Sequence, residues 1–318
     1  MNRYLLRRAA QLGPQLLILF VLSFGLVHLT PGATGSVDLQ SLSGENLEQM
    51  RERLGLDRPL HIQFADWLWR AIRLDFGDSF IDGTPVREKI LDRLPATALL
   101  TGSALVLSLV LAVPLGVLSS LYRNSPLDYG LTIFAFFGVS IPAFWAAIVV
   151  IIVFGVQLGW FPVQGMETVG RPVTWPVLDV LHHLALPAIV LGLEGTAALT
   201  RLVRSSMTDV LVEDYVRTAR AKGLGEQLVL FRHALKNALL PLVTLVGLRL
   251  PTLIGGAVVI ETIFAWPGIG RLGWEAVLQR DYPVVMGLVV FTGVLTILGN
   301  LLADIAYAAI DPRIKLEG

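Results

Sequence analysis

Long apolar runs separated by charged intervals constrain this chain more than any other feature. A stretch of about 20 apolar residues crosses the hydrocarbon core of a bilayer. Six such stretches are readable, at 9–29, 96–121, 129–156, 181–199, 237–260 and 284–310. Backbone inside hydrocarbon must satisfy its own hydrogen bonds, so each run predicts a helix. Composition agrees: 16% of the residues are charged, where soluble domains carry about 25%. The predicted fold class is an all-α, multi-pass membrane protein forming a single domain over 1–318. Arg3, Arg7 and Arg8 precede the first run and hold the start of the chain in the cytoplasm. Six crossings then return the other end to the same side. The first run is long for a signal core and no convincing cleavage pattern follows it, so it is read as an uncleaved span.

The intervals carry the remaining information. The excursion 31–94 holds eight Lys/Arg and eleven Asp/Glu, a balance that does not oppose an external position. Within it Phe64, Trp67, Leu68, Ala71 and Ile72 recur at helical spacing. They predict an amphipathic helix packed on the membrane domain or lying at its surface. Pro142 falls inside the third run and predicts a kink or an opened turn. The interval 200–236 is basic, with Arg201, Arg204, Arg217, Arg220, Lys222, Arg232 and Lys236 in or beside it, and is predicted to be cytoplasmic. Two helical runs meet there at Gly223-Leu224-Gly225. The first ends at Lys222 with Gly223 as a left-handed terminator. The second carries Glu226 in its first turn, where a carboxylate suits the positive helix end.

Three ionisable residues lie inside apolar runs: Glu194, Arg249 and Asp304. Such groups are costly in lipid and face a bundle interior, a cavity or one another. Glu194 and Arg249 sit at matching depths. Either they pair, or they line a path and meet the charged ends of a zwitterionic peptide. Asp304, nearer the inner end, is expected to pack or hydrogen-bond.

Several function classes are disfavoured. The formal net charge is +0, which gives a nucleic-acid partner no electrostatic support. Without Cys there is no disulfide or thiolate chemistry. No GxxxxGK[ST] phosphate loop is readable, so ATP binding is not expected of this chain. His28 is isolated, and His182 and His183 are adjacent on a helix and point apart. Neither a metal site nor a catalytic constellation is expected. An ion-coupled secondary transporter would favour paired midplane carboxylates and inverted repeats, and would leave the basic interval unexplained. A membrane-embedded hydrolase would need a nucleophile–base or metal grouping inside the spans.

The charged interval also carries a family resemblance. TARAKGLG (218–225) and FRHALKNALLP (231–241) resemble the cytoplasmic coupling loop of ABC importer permeases of the dipeptide, oligopeptide and nickel group. Arg217 stands where many importers have Glu and Lys236 where many have Pro, both usual for the peptide group. LGLDRPL (54–60), WLWRAIRLDFGDSF (67–80), RLPAT (93–97) and LGWFPVQG (158–165) are similar to B-type peptide permease subunits. So are GGAVVIETIFAWPGIGRL (255–272), RDYPVVMG (280–287) and DPR (311–313), so the resemblance covers nearly the whole chain.

This resemblance implies a type I ABC importer fold, with six transmembrane helices and an external helical excursion after the first. It implies a subunit forming half of the translocation pathway for di- or oligopeptides, with nickel chelates and glutathione as alternatives. The implied partners are a second homologous permease subunit, two ATP-binding subunits carrying ATP and Mg, an external substrate-binding protein and the lipid bilayer of the cell membrane. On that reading 200–236 is the coupling loop. Ala219, Ala221 and Gly223 permit close approach to an ATPase subunit, Leu224 and Leu228 are apolar anchors, and Lys222 and Glu226 make polar contacts. The resemblance gives Glu194 and Arg249 no role.

Overall fold

The computed structural model describes residues 2–29, 58–170, 172–254 and 257–310, with side chains described for 11–25, 58–133, 140–170, 172–247 and 257–301. The side chains of His28, Arg249 and Asp304, residues 31–57 of the excursion and the closing DPR segment lie outside the described residues. Among the described residues regular structure is helical, apart from one bridge between Asp78 and Pro85. The helices are α1 (Asn2–Leu29), α2 (Leu60–Ile72), α3 (Val86–Leu121), α4 (Pro126–Ser140) and α5 (Ala143–Val150), the last continued by a π-helical turn over Ile151–Gln157. Next come α6 (Pro176–Leu211), α7 (Asp214–Ala221) and α8 (Glu226–Leu228), which runs through a π-helical turn (Val229–Leu235) into α9 (Lys236–Ala238). Then follow α10 (Leu240–Ile254), α11 (Val258–Ile263), α12 (Ile269–Leu278) and α13 (Tyr282–Ile310).

Four described helical stretches are long and apolar enough to cross a membrane: Val86–Leu121, Pro176–Leu211, Glu226–Gly247 and Tyr282–Leu301. Two shorter apolar helices cover Gln11–Gly25 and Ala143–Gln157. The boundaries differ from the sequence expectation in instructive ways. The helix holding the run 96–121 starts ten residues earlier, at Val86, and that holding 181–199 continues to Leu211. The run 129–156 is interrupted. Helix α4 stops at Ser140, and Pro142 (φ −58, ψ 133) sits in extended conformation as the residue before α5. The opened turn follows from the missing N–H of proline and its clash with the preceding turn.

The chain divides into two compact units. The first takes the described residues of 1–95, 254–258 and 268–318. There α2 lies on α1 through Phe20–Trp67 and Phe24–Phe64 ring contacts, with centroids 5.8 and 5.4 Å apart. Trp67 and Ala71 are buried with Phe76, Val86, Ile90, Leu272 and Leu288, and Phe64 and Leu68 pack against that core. Ile72, expected on the same face, is exposed. It is the last residue of α2, about 100° around the helix from Ala71. The buried carboxylate of Asp281 accepts bonds from the Ser79 hydroxyl and the Phe80 N–H, and so fixes the loop that leads into α3. Lys89 reaches from α3 to Asp82 in the same loop at 2.7 Å. That bond holds the Asp82 carboxyl well below the usual carboxylate range.

The second unit takes 96–253 and 259–267. Helices α3 and α6 approach closely there: the Ser108 hydroxyl donates to the Gly192 carbonyl at 2.6 Å, and Ala112, Leu199, Val203 and Leu242 share one core. The Gly/Pro-rich stretch holds a short helix, α11, followed by a tight turn with Ala265 at φ +50. Trp266 is fully buried after it and donates through Nε1 to the Ala96 carbonyl at 2.8 Å. Glu261 on α11 is buried and accepts from the Thr97 hydroxyl at 3.0 Å.

Candidate functional site

The segment 213–238 is built on the end of α6. Helix α6 stops at Leu211, and Glu213 adopts an extended conformation (φ −66, ψ 145) before α7 begins. The Glu213 carbonyl then accepts from the Val216 and Arg217 N–H groups. Helix α7 is only eight residues long, too short to stand alone in water. Its stability comes from one face. Val216 and Ala219, three apart, are buried together with Met207 of α6, Val229 and Ala234 of the π-helical turn and Ala238 of α9. Asn237 adds a bond from Nδ2 to the Tyr215 hydroxyl at 2.9 Å.

The turn that follows has a geometric demand. Lys222 closes α7, and the Gly223 N–H donates to the Arg220 carbonyl at 2.9 Å. Gly223 sits at φ +76, the left-handed region that only glycine enters without strain. A Cβ there would meet nothing within 4 Å, so the need for glycine is conformational rather than steric. The expected left-handed terminator is therefore present. The following helix starts at Glu226, and the Val229 N–H returns to the Gly225 carbonyl at 3.1 Å.

A fork of two bonds closes the turn from outside. The Arg220 guanidinium donates to both carboxylate oxygens of Glu226, at 2.7 and 3.2 Å. The bond pulls the Glu226 carboxyl below its ordinary range and raises the Arg220 guanidinium. Around this clamp the side chains sort by face. Ala219 is buried within the chain, so its small size serves the α6–α7 contact. Ala221, Lys222, Gly223, Leu224, Glu226 and Leu228 are exposed. Leu224 and Leu228 leave two apolar side chains partly exposed at and just after the turn. The sequence reading singled out Arg220 only as one of the basic residues and passed over Val216 and Val229. The i, i+3 spacing of Val216 and Ala219 was the available signal.

Other expected site residues fall elsewhere. Glu194 is exposed on α6 and makes no hydrogen bond or ion pair among the described residues. Arg249 belongs to α10 but its side chain is outside the described residues, so their pairing is open. The two adjacent histidines diverge: His182 Nε2 contacts the Trp160 carbonyl at 2.6 Å and His183 Nδ1 the Asp179 carbonyl at 2.9 Å. Among the described residues no three His, Asp or Glu side chains are grouped to hold a metal.

Residues 112–316 match the family described as "Binding-protein-dependent transport system inner membrane component", and residues 1–101 match its N-terminal companion family. The chain belongs to this permease family. It is 46% identical to the oligopeptide transport system permease protein AppB of Bacillus subtilis, over 99% of this chain and all of that protein. A putative peptide transport system permease protein of Brucella abortus shares 41% over the full length of both. The dipeptide transport system permease protein DppB of Alkalihalophilus pseudofirmus shares 37% over 99% of this chain and all of that protein. In fold the permease is similar to inward-facing structures of the MetNI methionine ABC transporter, with TM-score 0.55 and 19% identity over 70% of this chain and 95% of that one. It is thus a membrane-embedded permease subunit with the type I ABC importer fold, is not itself the ATPase, and works with other subunits of its importer.

Proposed function

We propose that this permease forms half of the translocation pathway for di- or oligopeptides, and that 213–238 is the segment through which ATP-binding subunits drive it. The peptide class rests on the full-length similarity to permeases named for oligopeptide and dipeptide transport. The coupling role rests on one observation: a buttressed, clamped turn leaves Leu224 and Leu228 partly exposed and outside the apolar core beneath it. Such a rigid apolar tip is what a partner groove needs in order to move the membrane helices rather than bend the loop. The proposed assembly adds a second homologous permease subunit, two ATP-binding subunits holding ATP and Mg, and an external substrate-binding protein. The chain crosses the cell membrane six times with both ends in the cytoplasm.

Glu194 belongs to the pathway in this reading. A charge on the exposed surface of an apolar helix is expensive against lipid, and its carboxylate complements the ammonium end of a peptide. The test is ATPase activity of the lipid-reconstituted complex with its binding protein loaded in turn with dipeptide, longer peptide, glutathione or nickel chelate. Stimulation by a peptide class, lost in Gly223→Val, is expected. Stimulation by glutathione or nickel chelate alone would replace the peptide assignment, and an absence of co-purifying ATPase would remove the coupling role.

A further inference from the structure

The carboxylate of Asp128 joins three elements of the second unit. Asp128 stands in the first turn of α4 and is buried. It accepts from the Ser119 hydroxyl at the end of α3 and from the Asn124 N–H in the intervening loop at 3.0 Å. From α6 the Arg204 guanidinium donates to both of its oxygens, Nε at 3.0 Å and Nη2 at 2.8 Å. The loop is tight: Asn124 is itself left-handed, at φ +62. Such a fork between a planar guanidinium and a carboxylate fixes orientation as well as distance.

The position of Arg204 gives this pair a role beyond holding a loop. Three residues further along α6 is Met207, fully buried in the floor on which Val216, Ala219 and Val229 rest. Residues three apart on a helix share a face, so one short stretch of α6 carries the seat of the projecting turn and the grip on α4. On the other side, α4 packs along α6 and is broken from the helix that follows it. It ends at Ser140, and the break at Pro142 separates it from α5. A push on the turn is passed by packed side chains to α6, and two directional bonds add to the apolar packing a fixed grip on the start of α4.

We propose that Asp128 and Arg204 form the strut through which displacement of the 213–238 segment reaches α4; this rests on the coupling role assigned above to that segment. Both are positioning residues and touch neither substrate nor nucleotide. A stable, correctly assembled importer lacking the strut hydrolyses ATP but moves the start of α4 less faithfully, so its transport falls relative to its ATPase activity.

The test compares wild type, Asp128→Asn, Arg204→Lys and Asp128→Asn/Arg204→Lys in the full complex, reconstituted with its binding protein. Dipeptide uptake per ATP hydrolysed is measured alongside basal ATPase and co-purification of the ATP-binding subunits. Uptake per ATP is expected to fall about tenfold in either single variant, with basal ATPase and assembly retained. The double variant is expected to be no worse than the more severe single, because the two changes break one link. Unchanged uptake per ATP in both single variants overturns the inference, as do additive losses. Loss of assembly in every variant overturns it as well, since the pair would then be a structural staple. Wild-type complex without ATP-driven uptake instead removes the coupling role on which the inference rests.

Discussion

Arg204 and Asp128 do not share their ion pair evenly. The Asp128 side chain is 3% exposed and the Arg204 side chain 37%. Arg204→Met leaves a carboxylate buried without its countercharge, a change that costs about 3–5 kcal/mol in comparable sites. Asp128→Asn leaves a guanidinium that can turn to water, so its cost is smaller. Thermal unfolding in detergent should therefore place the midpoint of Arg204→Met below that of Asp128→Asn. The equal or opposite order would mean that Arg204 has little to do with stabilising the buried carboxylate. The pH dependence has a defined sign. The Arg204 bonds hold the Asp128 carboxyl down to about 2 from 3.8. Its contribution is then in place above pH 3.8 and is lost as pH falls towards 2. The stability gap between wild type and Asp128→Asn should narrow across that acid interval and stay constant near pH 7. Gly223 poses a different problem, since its positive φ is the obstacle and the space around it is open. Gly223→Ala should cost about 1–2 kcal/mol of backbone strain, confined to the turn. Hydrogen exchange should quicken over 222–226 and stay unchanged in the core of α6.

The approach of α3 to α6 is made at glycines, a device of membrane helices whose apolar faces gain nothing over lipid by mere hydrophobicity. A Cβ on Gly116 would lie 2.7 Å from the Val203 Cβ and 2.9 Å from the Thr200 carbonyl, and one on Gly195 would lie 2.7 Å from the Ser108 Oγ. The first obstacle includes backbone, so it cannot rotate away. Gly116→Ala should lower stability by about 1–3 kcal/mol through overpacking, whereas Gly195→Ala should cost less, because the Ser108 hydroxyl can turn at the expense of its bond to the Gly192 carbonyl, worth about 0.5–1.5 kcal/mol. Thermal unfolding of the two variants checks the order. This scale also shows what was legible in the sequence. Hydropathy located the apolar helices because burial in lipid is a property of composition. It misjudged their ends because charge stops a helix from being in lipid without stopping it from being a helix. Arg201 and Arg204 looked like the start of a loop, yet no Gly or Pro interrupts 196–211 and α6 runs on to Leu211. At 1.5 Å per residue, 36 residues span about 54 Å, well beyond a hydrocarbon core of about 30 Å. The terminator at Gly223 was readable because a positive φ selects glycine. The Arg220–Glu226 fork and the Asp128–Arg204 pair were not, since each depends on where helices turn in space. The π-helical turns at Ile151–Gln157 and Val229–Leu235 left no mark in residue type.

At the scale of the molecule, the described spans bury little of their own surface. In the four long apolar stretches among the described residues, 22–39% of the most apolar 18-residue window is buried inside the chain. The rest is left for lipid or other subunits of the importer, which suits the proposed pathway shared with a second permease subunit. The projecting turn is the point where such dependence can be tested without disturbing the membrane region. Leu224 and Leu228 are 37% and 43% exposed and take no part in the buried floor of Met207, Val216 and Val229. Leu224→Asp and Leu228→Asp should lower the unfolding midpoint of the isolated permease only slightly, because neither side chain belongs to the buried floor. In the proposed coupling contact each places a carboxylate where an apolar side chain would be received, and burial without a partner is costly. Binding that is confined to the folded state also stabilises it by mass action. Co-expressed ATP-binding subunits should therefore raise the midpoint of the wild-type permease but not that of Leu224→Asp/Leu228→Asp, and pull-down of those subunits by the double variant should fall. An unchanged pull-down with an unchanged midpoint shift would place the coupling contact on another part of the permease surface.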